Sequence, residues 1–261
     1  MLGAVHESKA GARRVRIAAT GDLHCNRIGQ GELQPLFKRA TAEADVLLLC
    51  GDLVDHGMPD EARRLAHEIA TGAGLPIVAV LGNHDFEAGK QDEIAAILSE
   101  VGVHVLDGGS FEVGGVGFAG VKGFGGGFGQ RALGAWGEPT IKQFVHEAVE
   151  EALKLETALS QLRNVPRIAV LHYSPIEETV RGEPLEIYPF LGSSRLEEPL
   201  NRLGVLAAFH GHAHAGRSEG RTSAGIPVYN VSVPVLERNF PEQPGFRLIE
   251  IPLDGADGAA G

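Results

Sequence analysis

Five times along this chain a short apolar run stops abruptly at a cluster of Asp, Asn or His. Residues 15–19 lead into Gly21-Asp22-Leu23-His24, and Val46–Cys50 leads into Gly51-Asp52. Residues 76–81 lead into Gly82-Asn83-His84-Asp85, Arg167–Leu171 ends at His172, and 206–209 ends at His210-Gly211-His212-Ala213-His214. Helical patterns separate the first three runs. Residues 32–44 suit a helix, Pro59-Asp60 opens another to about residue 70 with Ala62, Leu65, Ala66 and Ile69 at helical spacing, and a third covers about 92–101. Strand, helix, strand, helix, strand is the pattern of a sheet with crossover helices. In such sheets sites form at the carboxyl ends of strands, and here those ends carry the polar clusters.

The middle of the chain is less regular. Residues 111–123 read as a hairpin, 123–129 (GFGGGFG) as a glycine-rich loop free to move, and 138–162 as one long helix. Residues 226–233 and 246–251 read as closing strands. No internal repeat and no long linker appears, so 1–261 is expected to be a single domain, with 1–13 and 254–261 flexible.

Composition narrows the partners. A net charge of −11 and the absence of a Lys/Arg cluster argue against an extensive nucleic-acid surface. No run approaches the roughly 18 apolar residues of a membrane span. The N-terminal MLGAVHESKAGARRVR has no apolar signal core, and Cys25 and Cys50 are the only cysteines, so a cytoplasmic protein without a disulfide framework is expected.

The clusters offer imidazole, carboxylate and amide donors and no thiolate, a set suited to Mn, Fe or Zn rather than to a cysteine-type structural zinc site. In extended chain, positions i and i+2 point the same way, so 22/24 and 212/214 each present two donors toward one point. One D-x-H alone is a weak signal; five motifs in order, each after an apolar strand, are a strong one.

The series D-x-H, G-D-x-x-D, G-N-H-D, H and G-H-x-H, spanning residues 22–214, resembles that of the calcineurin-like metallophosphoesterases. The resemblance implies an α/β fold, a four-layer α-β-β-α sandwich of two mixed β-sheets flanked by helices (the metallo-dependent phosphatase fold). It implies a centre of two divalent or trivalent metal ions. Asp22, His24, Asp52 and His214 would hold the first, and Asp52, Asn83, His172 and His212 the second. His84 would stand near the leaving group, oriented by Asp85. A hydroxide bridging two cations about 3.5–4 Å apart would attack phosphorus in line, and His84 would protonate the departing oxygen. Two divalent ions, two carboxylates and one hydroxide leave about one net positive charge, which suits a monoanionic phosphodiester; a monoester would gain from an added Arg or Lys. The protein Ser/Thr phosphatase branch reads G-D-x-x-D-R-G, whereas this chain has Gly51-Asp52-Leu53-Val54-Asp55-His56-Gly57, which argues against that activity.

The expected function is therefore hydrolysis of a small phosphodiester or cyclic nucleotide. Competing readings are a broad-specificity phosphomonoesterase, a nuclease, which needs a basic groove, and a non-catalytic scaffold, which should have lost His84 or several ligands. Asp55 is expected beside the ligands rather than among them, His210 in the core, and Cys25 as a small buried thiol. Lys122, Arg131 and Arg181 are candidate phosphate contacts, His56 is either a phosphate contact or a solvated loop histidine, and Trp136, Phe124 and Phe128 are candidates for stacking.

Overall fold

In Val46–Cys50, the strand β2, every residue is buried, and its two faces go to different cores. Leu47 and Leu49 share a cluster with Phe37, Leu65 and Ile69 from the helices α1 (Gln34–Glu43) and α2 (Pro59–Gly72). Val46, Leu48 and Cys50 share another with Phe118, Val170 and Phe209 from a second sheet. A strand covered on both sides has no polar face to show, which is why its sequence is apolar throughout. The same division holds for β1 (Arg14–Thr20) and β3 (Ile77–Val80): Ala18, Ile77 and Ala79 face the helices, while Ile17, Ala19, Val78 and Val80 face the other sheet.

The computed structural model describes residues 14–27, 29, 31–242 and 245–253; the leader 1–13 and the tail 254–261, expected to be flexible, lie outside the described residues. The remaining elements are α3 (Gln91–Glu100), β4 (Val103–Val105), β5 (Gly109–Val113), β6 (Val116–Val121), α4 (Pro139–Gln161), β7 (Arg167–Leu171), α5 (Tyr188–Leu191), α6 (Glu197–Leu203), β8 (Ala207–His210), β9 (Glu219–Arg221), β10 (Pro227–Asn230), α7 (Val233–Asn239) and β11 (Arg247–Pro252). One sheet has the order β11-β1-β2-β3-β4, the other β5-β6-β7-β8-β10-β9. β1 to β4 run parallel, with β11 antiparallel at the edge. β6, β7, β8 and β10 run parallel, with β5 and β9 antiparallel at the edges.

The second sheet repeats the division. Phe118, Ile168, Val170 and Phe209 face the first sheet, while Ala119, Val121, Ala169, Leu171 and Ala208 pack with Leu155, Ala158 and Leu159 of α4 and Leu200 of α6. The molecule is an α/β sandwich of two mixed sheets flanked by helices, as the resemblance implied. Among the described residues no helix is long and apolar enough to cross a membrane.

Two local expectations change. The glycine-rich loop is packed rather than free: Gly123 and residues 125–128 are buried. Its amides and carbonyls are engaged, with Gly126 N donating to Pro189 O (2.6 Å), Gly127 N to Gly192 O (2.9 Å) and Ser194 N to Gly127 O (3.2 Å). The expected closing strand at 226–233 ends earlier, because Pro234 in the first turn starts α7 at Val233.

Candidate metal centre

The parallel order β1-β2-β3 brings Asp22, Asp52 and Asn83 to one edge, and β7 and β8 bring His172 and the 212–214 segment to meet them. Backbone bonds tie these loops together: Asp22 N donates to Gly51 O (2.9 Å), His24 N to Asp52 O (3.0 Å) and Gly211 N to His172 O (3.2 Å). The His212 amide crosses from the second sheet to the Asp22 carboxylate, at 3.1 and 3.0 Å from its two oxygens.

Close approach explains the glycines. A Cβ on Gly51 would run into the His172 ring, and one on Gly82 would run into the Asp52 amide and carboxylate and come 2.8 Å from His172 Cε1. The chain also bends where few side chains permit it, with left-handed φ at Asp22 (59°), His24 (43°), Asp52 (50°) and His212 (67°). Such residues cost on the order of 1–3 kcal/mol each. A fully buried Leu or Val contributes roughly 1.5–3 kcal/mol, so the sheet interiors hold the strained loops in place.

Among the described residues the donor atoms fall into three groups, one of which is His24, Asp55 and His84. Asp22, His24 and His214 place one atom each within 4.8 Å of one another, and so do Asp52, His172 and His212. The hydrogen bonds fix which atoms face inward. His172 Nδ1 lies 2.9 Å from the Cys50 carbonyl, which can only accept, so Nδ1 carries the proton. Burial pushes this imidazole down to about 4, so it is neutral and its Nε2 is bare. That bare nitrogen faces two further donor oxygens, Asn83 Oδ1 at 2.9 Å and Asp52 Oδ1 at 3.4 Å. Lone pairs converging in this way repel unless a cation lies between them. His212 repeats the device: Nε2 donates to the Phe190 carbonyl at 3.0 Å, and burial pushes the ring down to about 3, leaving Nδ1 bare.

The carboxylates ask for the same thing. Burial, and then the charge of Asp22, push Asp52 up to about 7. Burial also opposes ionisation of Asp22, yet the His214 hydrogen bond (Nε2 to Oδ1, 2.8 Å) and the nearby histidines hold it below the usual carboxylate range. The same bond raises the pKa of His214. These residues fit a pair of metal ions.

His84 and Asp85 depart from expectation. Asp85 does not orient the His84 ring. It is fully buried and accepts backbone amides from Gly82 (2.7 Å), Val54 (2.9 Å) and Leu53 (3.2 Å), clamping the second motif to the third. The His84 ring is oriented by the Asp55 carbonyl, 2.7 Å from Nδ1, while the His84 amide donates to Asp52 Oδ1 at 2.8 Å. The Asp55 carboxylate stands 3.2 Å from His24 Nδ1, so Asp55 touches both histidines. The G-D-x-x-D pattern held a signal for Asp55; nothing in the sequence pointed to the carbonyls of Cys50 or Phe190.

The remaining candidates separate clearly. His210 is a core residue, with Nδ1 donating to Gly211 O and Nε2 beside Thr179 Oγ1, both at 2.8 Å. Cys25 and Cys50 are free and buried. His56 pairs with Glu61 (3.1 Å), and Arg181 with Glu177 (3.3 Å). Phe128 is a core residue packed with Val180, Leu191 and Ala213, and not a stacking platform. Trp136 is 75% exposed, and Phe124 packs against Phe144 and Tyr173.

A family model described as calcineurin-like phosphoesterase matches residues 15–216. Among solved structures, phosphopantetheinyl hydrolase from Mycobacterium tuberculosis aligns with a TM-score of 0.65 at 17% identity, covering 94% of this chain and 98% of that one. The Thermus thermophilus protein TT1561 aligns with a TM-score of 0.54 at 16% identity, covering 92% and 100%. At such identities the likeness establishes the fold alone. No curated protein sequence matches the chain.

The glycine contacts generate a test. Gly82→Ala should keep the fold, seen by circular dichroism, and bind manganese roughly 10- to 100-fold more weakly, seen by metal titration.

Proposed function

The chain belongs to the calcineurin-like phosphoesterase family and is a metal-dependent phosphoester hydrolase, and from that premise we propose that it cleaves a small phosphodiester, a cyclic nucleotide being one such substrate. The observation that carries this reading is the convergence of bare imidazole nitrogens and buried carboxylates at one end of the sandwich, with a histidine poised beside them. In this reading Asp22, His24, Asp52 and His214 hold one ion, and Asp52, Asn83, His172 and His212 hold the other, with manganese, iron or zinc as the metal. Bound there, the ions supply Lewis acidity and lower the pKa of water.

The chain's own residues do the rest. Asp52 stands with His172 and His212, and in this reading it also reaches the first ion. Asp85 and the His212 amide hold the motif loops in register, so the donors need little rearrangement as substrate arrives. His84 keeps its Nδ1 proton on the Asp55 carbonyl, which leaves Nε2 as the nitrogen that exchanges a proton with the leaving oxygen. A centre with about one net positive charge favours a phosphorus that bears one negative charge.

Manganese-reconstituted protein should hydrolyse an aryl phosphodiester or a cyclic nucleotide faster than an aryl monoester, with two metal ions measured on the same sample. Two bound ions and no turnover of any phosphoester would overturn the reading. His84→Ala should lower kcat on poor leaving groups by about 10²–10⁴-fold, and on activated aryl esters far less, with metal content near that of the parent. Loss of metal would remove His84 from the proton-transfer role. Asp52→Asn should abolish turnover and weaken both ions in a metal titration; loss of only one would refute the bridging role.

A further inference from the structure

Beside the centre stands a buried cation that the reading above does not use. Lys122 directly follows β6, and its carbonyl accepts hydrogen bonds from both His172 N (3.1 Å) and Tyr173 N (3.0 Å). Alternation along the strand sets it on the face of Gly120, where a Cβ would meet Val80 of the opposite sheet. Its side chain thus leaves β6 toward the seam between the sheets, at the end where the motifs converge. The residue is only 9% exposed. Its Nζ lies 4.8 Å from the ring centre of Phe124, 5.3 Å from that of Phe86 and 5.4 Å from that of Tyr173. Phe86 follows Asn83-His84-Asp85, and the Tyr173 ring is 4.4 Å from that of His212. The ammonium therefore borders the half of the centre built from Asp52, Asn83, His172 and His212.

Its partners do not balance its charge. Of three N–H donors, one meets the Gly123 carbonyl at 2.8 Å, and no carboxylate among the described residues is within ion-pair distance of it. Glu151, the nearest in effect, is committed to Gly123 N (2.7 Å) and Lys154 Nζ (2.8 Å). A cation over an aromatic face gains about 0.5–2 kcal/mol, against several kcal/mol for taking an ammonium out of water. Burial accordingly lowers the pKa of this lysine. An anion arriving between Phe86 and Tyr173 would find two unused donors and a charge already stripped of water.

We propose that Lys122 is a specificity-determining residue whose ammonium pairs with a second negative charge next to the scissile phosphorus. This rests on the phosphoester-hydrolase reading and narrows its substrate. The ions and carboxylates answer one negative charge, and Lys122 answers another. Within a diester the second charge is the adjoining phosphoryl group of a pyrophosphate diester; the second ionisation of a phosphomonoester shares this chemistry, and finding it as the source would keep the role of Lys122 while overturning the diester preference.

The test compares the manganese-loaded parent with Lys122→Met and Lys122→Gln on 4-nitrophenyl phosphate, ADP-ribose and bis(4-nitrophenyl) phosphate. Removing the charge should lower kcat/KM, mainly through KM, by roughly 10- to 100-fold on a doubly charged probe, and less than about three-fold on the plain diester. Whichever doubly charged probe suffers identifies the source. Equal losses on all three, or none, would overturn the proposal. Calorimetry separates this from the wider reading, because it needs no turnover: both variants should weaken binding of dianionic inorganic phosphate about 10-fold or more while sparing dimethyl phosphate. Equal weakening of the two ligands would mean that Lys122 merely supports the fold.

Discussion

Asp22 and Asp52 are both buried at one end of the sandwich, close enough that the charge of the first raises the pKa of the second. Two carboxylates so placed cannot both ionise unless positive charge lies among them. The histidines around them cannot all supply it, since burial keeps His172 and His212 neutral at physiological pH. His214 meets Asp22 through a hydrogen bond of 2.8 Å. Cations held between the two carboxylates would let both ionise, and the rest of the architecture holds the pair in that position.

Holding it takes two sheets rather than one. The first delivers both carboxylates and Asn83, the second delivers His172, His212 and His214, and neither set is a complete site. The sheets are joined by an apolar interior running from Ile17 and Leu48 to Val170 and Phe209, and at the rim by the His212 amide on Asp22. Hydrophobic burial is insensitive to direction, so it sets how close the sheets lie. Directional bonds then set which atoms meet. The left-handed φ values at four of the donor residues fall in the loops where those two demands have to be reconciled.

Much of this was legible in the sequence because the signals were redundant. Each donor follows a run whose apolar residues leave little choice but a buried strand, and parallel strands put their carboxyl ends on one edge. What stayed hidden was supplied by backbone. The carbonyls of Cys50, Asp55 and Phe190 set the tautomers of His172, His84 and His212, and every residue carries a carbonyl, so composition gives no hint of the one that matters. Asp85 misled for a related reason: a carboxylate beside His84 suggests a side-chain pair, yet three amides from two loops compete for it and win. The glycine-rich loop misled differently. Its composition speaks of conformational freedom, but closeness of approach decided its role, since Cβ atoms at Gly125 or Gly126 would collide with Pro189 or Ser193. The short strands β4 and β9 are too brief to show a period.

The use of carbonyls as orienting partners has a chemical consequence at His84. A carboxylate on Nδ1 would draw the proton toward itself and stabilise the imidazolium; a carbonyl can accept a hydrogen bond but brings no charge. The Asp55 carbonyl therefore fixes the ring's direction and tautomer. The Asp55 carboxylate, meanwhile, lies 3.2 Å from His24 Nδ1 and 3.4 Å from His56 Nδ1. One residue thus reaches His84 through its carbonyl and His24 through its carboxylate. In the proposed mechanism the histidine beside the leaving group has its tautomer set by the carbonyl, and the histidine proposed to hold a metal ion faces the carboxylate.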